Sequence, residues 1–218
     1  MPELKNFDKI NQNTPVLIAG QTASGKSQLA LEIAEKHGGI IINADAIQVY
    51  KNWRILTARP SSMDEAKIKH KLYGHIDGTT DYSVGTWIKE VKKILSSNSR
   101  PIIVGGTGLY FSALTNGLVD IPEISDSIRQ EANNRIKENG FKSLVEEIDQ
   151  ETSQKIDTNN SVRVQRAWEV LRSTGRGLNS WHNDTPKPTL DLNMCKAILM
   201  DGEVSLINKR INLSLIHI

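Results

Sequence analysis

The sequence predicts an α/β fold, a parallel sheet flanked by helices and interrupted by a helical insertion. Three observations carry that expectation. Short aliphatic runs at Val16–Ala19, Ile40–Ile42 and Pro101–Val104 each lead into glycine or an acid and then into helical periodicity, the alternation of parallel strands with crossover helices. The first run opens a glycine-punctuated loop ahead of a helix. Residues 125–175 are rich in charge and helix formers and hold no further β-branched run.

Residues 14–37, TPVLIAGQTASGKSQLALEIAEKH, set the pattern. The strand breaks at Gly20 and the helix begins near Ser27, which places Gly20, Gly25, Lys26 and Ser27 at the spacing of a phosphate loop. The glycines let successive N–H groups turn inward as an anion nest, and the helix adds its free amides and positive dipole end. Lys26 can neutralise a terminal phosphate, and the Ser27 hydroxyl can ligate Mg²⁺. The whole loop, Gly20, Gln21, Thr22, Ala23, Ser24, Gly25, Lys26 and Ser27, is therefore the candidate site for a di- or triphosphate.

Leu29 and Ile33 place one helix face on the core, and Gly38-Gly39 ends the helix. Ile40–Ile42 then delivers Asp45 at its carboxyl end, where ligands sit in parallel sheets, on the same rim as the phosphate loop. Asp45 there is a functional carboxylate, a rival Mg²⁺ ligand, or a cap for the AIQVY segment. In residues 51–80, Pro60 begins a turn, Met63–Lys71 is expected as a short helix, and Arg54, Arg59, Lys67, Lys69 and Lys71 as a solvated face. Ser83–Leu95 repeats Val84, Trp87, Ile88, Val91, Ile94 and Leu95 at helical spacing, with Lys89, Lys92 and Lys93 opposite, and reads as a core-packing helix. The strand Pro101–Val104 ends in Gly105-Gly106-Thr107-Gly108, either a rim that lets a ligand approach closely beside the Thr107 hydroxyl or a tight strand-to-helix turn. Leu109–Leu114 starts the next helix.

Past Gly117 three helices are expected. One runs from Ser125-Asp126 to Asn139-Gly140, one carries Phe141, Leu144, Val145 and Ile148, and one carries Val162, Ala167, Val170 and Leu171 and ends before Gly175. Between 160 and 190, Arg163, Arg166, Arg172, Arg176 and Lys187 outnumber Glu169 and Asp184, a cluster that either holds a polyanion or forms a solvated face. Lys196–Met200 reads as a strand returning to the sheet and Glu203–Asn212 as a closing helix. The expected division is a core of 14–118 with 194–212, an insertion of 119–190, and an atypical tail of 213–218.

Bulk properties exclude more than they assign. A net charge of +2 is too mild to argue for nucleic acid by itself. The single cysteine, Cys195, excludes an internal disulfide, points to a reducing, cytoplasmic setting and reads as a buried thiol. No Cys/His set has zinc-ligand spacing, and no apolar run approaches membrane-spanning length. The polar N-terminus MPELKNFDKINQN reads as a short arm, neither signal nor transit peptide.

GQTASGKS, NADAIQVYKNWRILTARP, IIVGGTGLY and SVRVQRAWEVLRSTGRGLNSWH occur in that order. Together they resemble the tRNA isopentenyltransferase family, the tRNA dimethylallyltransferases, over residues 14 to 212. The resemblance implies a P-loop NTPase-like core and transfer of a dimethylallyl group from dimethylallyl diphosphate to N6 of the adenosine 3′ of the anticodon. It implies that Gly20–Ser27 binds the diphosphate with Mg²⁺ at Ser27, and that Asp45 acts as general base on the exocyclic amine or orients it. Thr107 would hold the diphosphate or the reacting nitrogen. Asp45, Ala46, Ile47 and Gln48 would contact tRNA, joined by Val162, Arg163, Val164, Gln165 and Arg166 on a later helix and by Arg129. The reacting base would leave its stack to reach the core. A monomer is expected.

The sequence departs from the family in places. Gln21 stands where proline is usual, and Ala46-Ile47 replaces Ser-Met. Arg210 matches the first of two family arginines four apart, a diphosphate ligand, but Ser214 stands at the second. A C-terminally truncated chain is expected on that ground. The alternatives are a P-loop small-molecule or nucleotide kinase, with Asp45 on Mg²⁺ or on an acceptor hydroxyl, and an RNA-binding module with a degenerate site.

Overall fold

The computed structural model describes residues 11 and 13–202 except 98, together with 205, 207, 208 and 211. They fall into two compact units, one of residues up to Asn116 with those from Pro188 onward, the other Gly117–Lys187. Among them no helix is long and apolar enough to cross a membrane.

The first unit is a five-stranded sheet. β1 (Val16–Gly20), β2 (Ile40–Asn43), β3 (His70–Lys71), β4 (Pro101–Gly105) and β5 (Lys196–Met200) are ordered β3-β2-β4-β1-β5. Every pairing is parallel, with Ile18 opposite Val104 and Ile198, and Ile42 opposite Ile103. The three central strands read as continuous aliphatic runs because both faces are covered. Val16, Ile18, Ile42, Ile102 and Ile103 have no exposed surface.

Helix α1 (Lys26–His37) presses Leu29, Ala30, Ile33 and Ala34 onto the cluster of Val16, Ile18, Ile41, Ile102 and Val104. Gly38, at φ 71°, takes its backbone out of the helix. Helix α3 (Val84–Leu95) buries Trp87, Ile88 and Val91, the core-packing face expected of it. Ser83 caps it by accepting from the Thr86 N–H. Helix α4 (Gly108–Thr115) follows β4 and buries Tyr110, Ala113 and Leu114.

Three expectations in this unit are corrected. The helix placed over Met63–Lys71 is shorter, α2 (Ser62–Lys67), and His70–Lys71 is a strand. The Ser61–Asp64 capping box fixes the start of α2, and β-branched Ile68 leaves the helix for extended backbone. Arg54 and Arg59 are not a free solvated face: Arg54 pairs with Glu65, and Arg59 is half-buried with its Nη1 donating to the Tyr50 carbonyl (2.9 Å). Cys195 is only partly buried, because it sits in the turn entering the outermost strand. The closing helix expected over 203–212 lies largely outside the described residues, as do Arg210 and the tail 213–218.

The second unit is helical: α5 (Asp126–Asn139), α6 (Lys142–Val145), α7 (Gln150–Lys155), α8 (Ser161–Thr174) and α9 (Leu178–Asn183). Ala132, Leu144, Ile148, Val164, Ala167 and Trp168 form its core. The span of Phe141 to Ile148 holds a single turn, α6, because the tight turn at Gly140 is followed by residues bonding in i→i+3 fashion. Trp168 donates its indole N–H to Glu147 (2.9 Å), and the Arg135 guanidinium lies over its ring, 5.3 Å from the centroid. The α7–α9 contact, with Asn179 N–H bonded to the buried Thr152 hydroxyl, carries no periodicity long enough to read in sequence.

Candidate active site at the carboxyl ends of the strands

The rim is built where β1, β2 and β4 end together. After β1 the chain bends through Ala23 (φ 62°) and Gly25 (φ 96°) into α1. A side chain on Gly20 would meet the Met200 carbonyl oxygen at 2.2 Å, so this glycine is needed for contact with β5 as well as for the loop. The Ser24 hydroxyl is buried without a hydrogen-bond partner among the described residues. The Lys26 ammonium donates to the Gln21 carbonyl, folding over its own loop. Burial lowers the Lys26 pKa from the ordinary lysine value, and the Asp45 carboxylate pulls it back up. Gln21, Thr22 and Ser27 are exposed.

Asp45 is held by a network whose centre is a residue not singled out from sequence, Asn43. Asn43 has no exposed surface. Its Nδ2 donates to the carbonyls of Asp45 (2.9 Å) and Leu72 (3.0 Å), and its Oδ1 accepts from the Asp45 N–H (2.9 Å). Its own carbonyl accepts from the Trp87 indole (2.7 Å), and Trp87 stacks on Tyr110 with ring centroids 4.4 Å apart. The signal was there: an amide ending a run of three isoleucines is a buried polar group that must be paired. Within the Asp45 carboxylate, Oδ1 accepts from Ile47 N–H (2.9 Å) and Gln48 N–H (3.3 Å). The capping role is therefore real, and it consumes one oxygen. Oδ2 lies toward Gly106, 3.8 Å from where a β-carbon would stand there, and the Gly20 carbonyl flanks the same position at 3.4 Å.

Thr107 closes the rim from β4. Its N–H donates to the Ala44 carbonyl (3.1 Å), and its hydroxyl oxygen accepts from the Ala46 N–H (2.9 Å), which leaves the hydroxyl proton to be donated. Gly105 permits this approach: a β-carbon there would lie 2.1 Å from the Ala44 carbonyl. The Gly-Gly-Thr-Gly segment is thus both a close-contact turn and the support of the hydroxyl.

The remaining candidates belong to both units. Ile47 is 53% exposed beside Asp45, whereas the Gln48 amide donates to the carbonyls of Thr57 (2.8 Å) and Ala58 (3.3 Å) and ties two loop segments together. In the helical unit Val162, Arg163 and Arg166 are exposed on α8, and Arg129 is exposed on α5. Val164 is corrected: its side chain has no exposed surface and fills the helical core, so it cannot touch a partner. Gln165 is bonded to Asn133 and Glu169, both at 2.9 Å. Arg172 and Arg176 lie within 4 Å of Glu131 and Asp184 respectively, whereas Arg163, Arg166 and Lys187 are exposed. Arg210 lies outside the described residues. Although Arg166 is exposed overall, partial desolvation of its guanidinium lowers its pKa from the ordinary value, with Glu169 opposing and Arg129 reinforcing the shift.

Comparison with known proteins adds independent findings. Residues 48–215 match the family model described as IPP transferase, and residues 14–77 match that described as isopentenyl transferase. The chain is 50% identical over 209 residues to the tRNA dimethylallyltransferase of Cereibacter sphaeroides (strain KD131 / KCTC 12085), covering 96% of this chain and 67% of that protein. It is 52% identical over 206 residues to the tRNA dimethylallyltransferase of Ruegeria sp. (strain TM1040), covering 94% and 70%. Among solved structures, a eukaryotic dimethylallyltransferase acting on tRNA superposes with a TM-score of 0.76 at 24% identity, over 93% of this chain and 52% of that one. The full-length tRNA isopentenylpyrophosphate transferase of Bacillus halodurans gives a TM-score of 0.54 at 26% identity, over 94% and 67%. The first structural likeness bears on fold alone, and it agrees with the parallel sheet behind a phosphate loop.

Proposed function

This chain belongs to the IPP transferase family, and on that footing we propose that it transfers a dimethylallyl group from dimethylallyl diphosphate to N6 of the adenosine 3′ of the anticodon in tRNA. The observation that carries the reading is the meeting of the phosphate loop, the Asp45 carboxylate and the Thr107 hydroxyl on one rim. A kinase would need the loop as much as a prenyltransferase does. The family match and the named relatives favour the latter.

The roles follow from the chemistry of the groups. The loop Gly20–Ser27 receives the diphosphate, where the partnerless Ser24 hydroxyl and the Lys26 ammonium suit phosphate oxygens. The donor set also fits a divalent ion. Among the described residues no group of three or more His, Cys, Asp or Glu could cage a metal alone, so Mg²⁺ would share the exposed Ser27 hydroxyl with the diphosphate oxygens. When bound it supplies charge neutralisation for the leaving group. Asp45 Oδ2 accepts a proton from the exocyclic amine as nitrogen bonds to the allylic C1 and the C1–O bond breaks, with the electron pair leaving on diphosphate. Thr107 donates its hydroxyl proton to a diphosphate oxygen or to a base acceptor. Arg163, Arg166 and Lys187 supply phosphate contacts to the RNA, and Ile47 an apolar contact to an unstacked base. A cytoplasmic setting, where tRNA is met, accords with this reading.

The test is Asp45→Asn. Diphosphate binding is expected to survive while the transfer rate falls by about 10²–10⁴-fold. Unchanged turnover in that variant would remove Asp45 from the reaction.

A further inference from the structure

Beside the phosphate loop, with Ser27 in its lining, the first unit holds a cavity of about 290 Å³. Leu31, Ile41 and Tyr73 give it apolar walls, and Ser27, Arg59 and His70 are among its polar ones. Arg59 is the unusual member. Its Nη1 donates to the Tyr50 carbonyl (2.9 Å), yet its Nε is buried and has no hydrogen-bond partner among the described residues. Among the described residues it makes no ion pair: the nearby Glu65 is taken by Arg54 at 2.5 Å. Gly74 lets the guanidinium in, since a β-carbon there would lie 1.9 Å from Arg59 Nη1. Burial, then the neighbouring Arg54, work against its charge, and Glu65 partly opposes them. A half-buried guanidinium with an orphaned donor and no carboxylate in direct contact is costly unless an anion completes it. Two other polar groups of the wall already have partners: the Asp64 carboxylate, which also lines the cavity, is bonded to Ser61, and His70 Nδ1 bonds the Ile68 carbonyl (2.8 Å).

We propose that this cavity is a second anion subsite, distinct from the phosphate loop and adjoining it at Ser27, in which Arg59 receives a phosphate oxyanion. Two sources share that chemistry, a phosphodiester of the RNA acceptor and a free phosphate. The subsite itself stands on the geometry of Arg59; only the RNA source rests on the proposed transferase reading.

Inorganic phosphate is the probe. In the full chain carrying Lys26→Ala, which weakens the phosphate loop, isothermal titration should still detect phosphate binding. Adding Arg59→Gln should weaken that binding about tenfold or more, and Arg59→Lys should restore part of it. Phosphate affinity indifferent to Arg59→Gln, or no binding in the Lys26→Ala chain, overturns the proposal. Because Arg59 also holds the Tyr50 carbonyl, a second readout avoids the variant. Phosphate should move the His70 ring signals of the Lys26→Ala chain in NMR, and silence at His70 equally overturns it. The source is read from the salt dependence of anticodon stem-loop binding. With Arg59→Gln, the slope of log K against log salt becomes shallower by about 0.7 if an RNA phosphate occupies the subsite, and stays unchanged if the ligand is free phosphate. Neither arm requires prenyl transfer, so a wrong transferase reading would leave the phosphate result standing.

Discussion

Replacing Asn43 by alanine tests whether the rim is built as described. Asn43 has no exposed surface, and three side-chain hydrogen bonds of 2.9–3.0 Å join it to both backbone groups of Asp45 and to the Leu72 carbonyl. A typical intramolecular bond contributes roughly 0.5–1.5 kcal/mol net, and buried partners left unpaired add to the loss, so Asn43→Ala should cost roughly 2–4 kcal/mol. A domain of this kind has about 5–15 kcal/mol in hand, so the variant should remain folded. Leu72 sits at φ 64°, a conformation rarely adopted by a bulky side chain, and this bond helps to hold it there. The functional consequence comes from position. Freed at its base, the Asp45 turn can move by an ångström, which costs about 10²-fold when a catalytic group is misplaced that far. Urea denaturation would read the first effect and steady-state kinetics the second, with kcat falling while diphosphate affinity holds, because the side-chain hydrogen bonds of Asn43 go to Asp45 and Leu72 and not to the phosphate loop. A stability change below about 0.5 kcal/mol, within the range of ordinary surface substitutions, would refute the reasoning. So would an unchanged kcat.

Other outcomes follow from the same geometry. Gly105→Ala drives a β-carbon to 2.1 Å from backbone that cannot yield, and should cost roughly 1–3 kcal/mol or more in a thermal melt. On α8, Val164→Ala should destabilise by roughly 1–3 kcal/mol with little effect on RNA affinity in the folded protein, because its side chain lies in the helical core. Val162→Ala on the same helix, at 74% exposure, should change stability by less than about 0.5 kcal/mol and weaken RNA binding. Burial pushes the Tyr110 phenol up to about 12. The unfolded phenol, near 10, therefore loses its proton first, so this stability is complete below about pH 10 and falls as pH rises toward about 12. Tyr110→Phe should make that alkaline decline shallower in urea midpoints measured across the range.

The sheet was legible because its strands are buried on both faces and read as unbroken aliphatic runs; Ile40–Ile42 could hardly be anything else. The phosphate loop was legible because its geometry is local, carried by glycines and a helix start within eight residues. What stayed hidden depends on contacts distant in sequence. The bond from Asn43 to Leu72 spans 29 residues, and the Trp87 indole reaches Asn43 across 44. Periodicity could not separate α2 from β3, where a capping box and one β-branched residue decide the boundary. Nor could it tell that Val164, one residue from the exposed Arg163, faces inward: α8 presents mixed polarity, and the packing of Leu144 and Ala132 decides which face is core. Arg59 read as one of several solvated cations because neither its burial at Gly74 nor the lack of a carboxylate partner has a local signature.

The proposed transferase joins an allylic diphosphate to an adenosine of tRNA at this rim. The measurement that tests it most directly incubates the chain with Mg²⁺, labelled dimethylallyl diphosphate and unmodified tRNA whose anticodon is followed by adenosine. Label should enter the tRNA and be absent when that adenosine is replaced. Label that persists on the replaced tRNA would contradict this chemistry, as would ATP turnover with small acceptors in place of prenyl transfer.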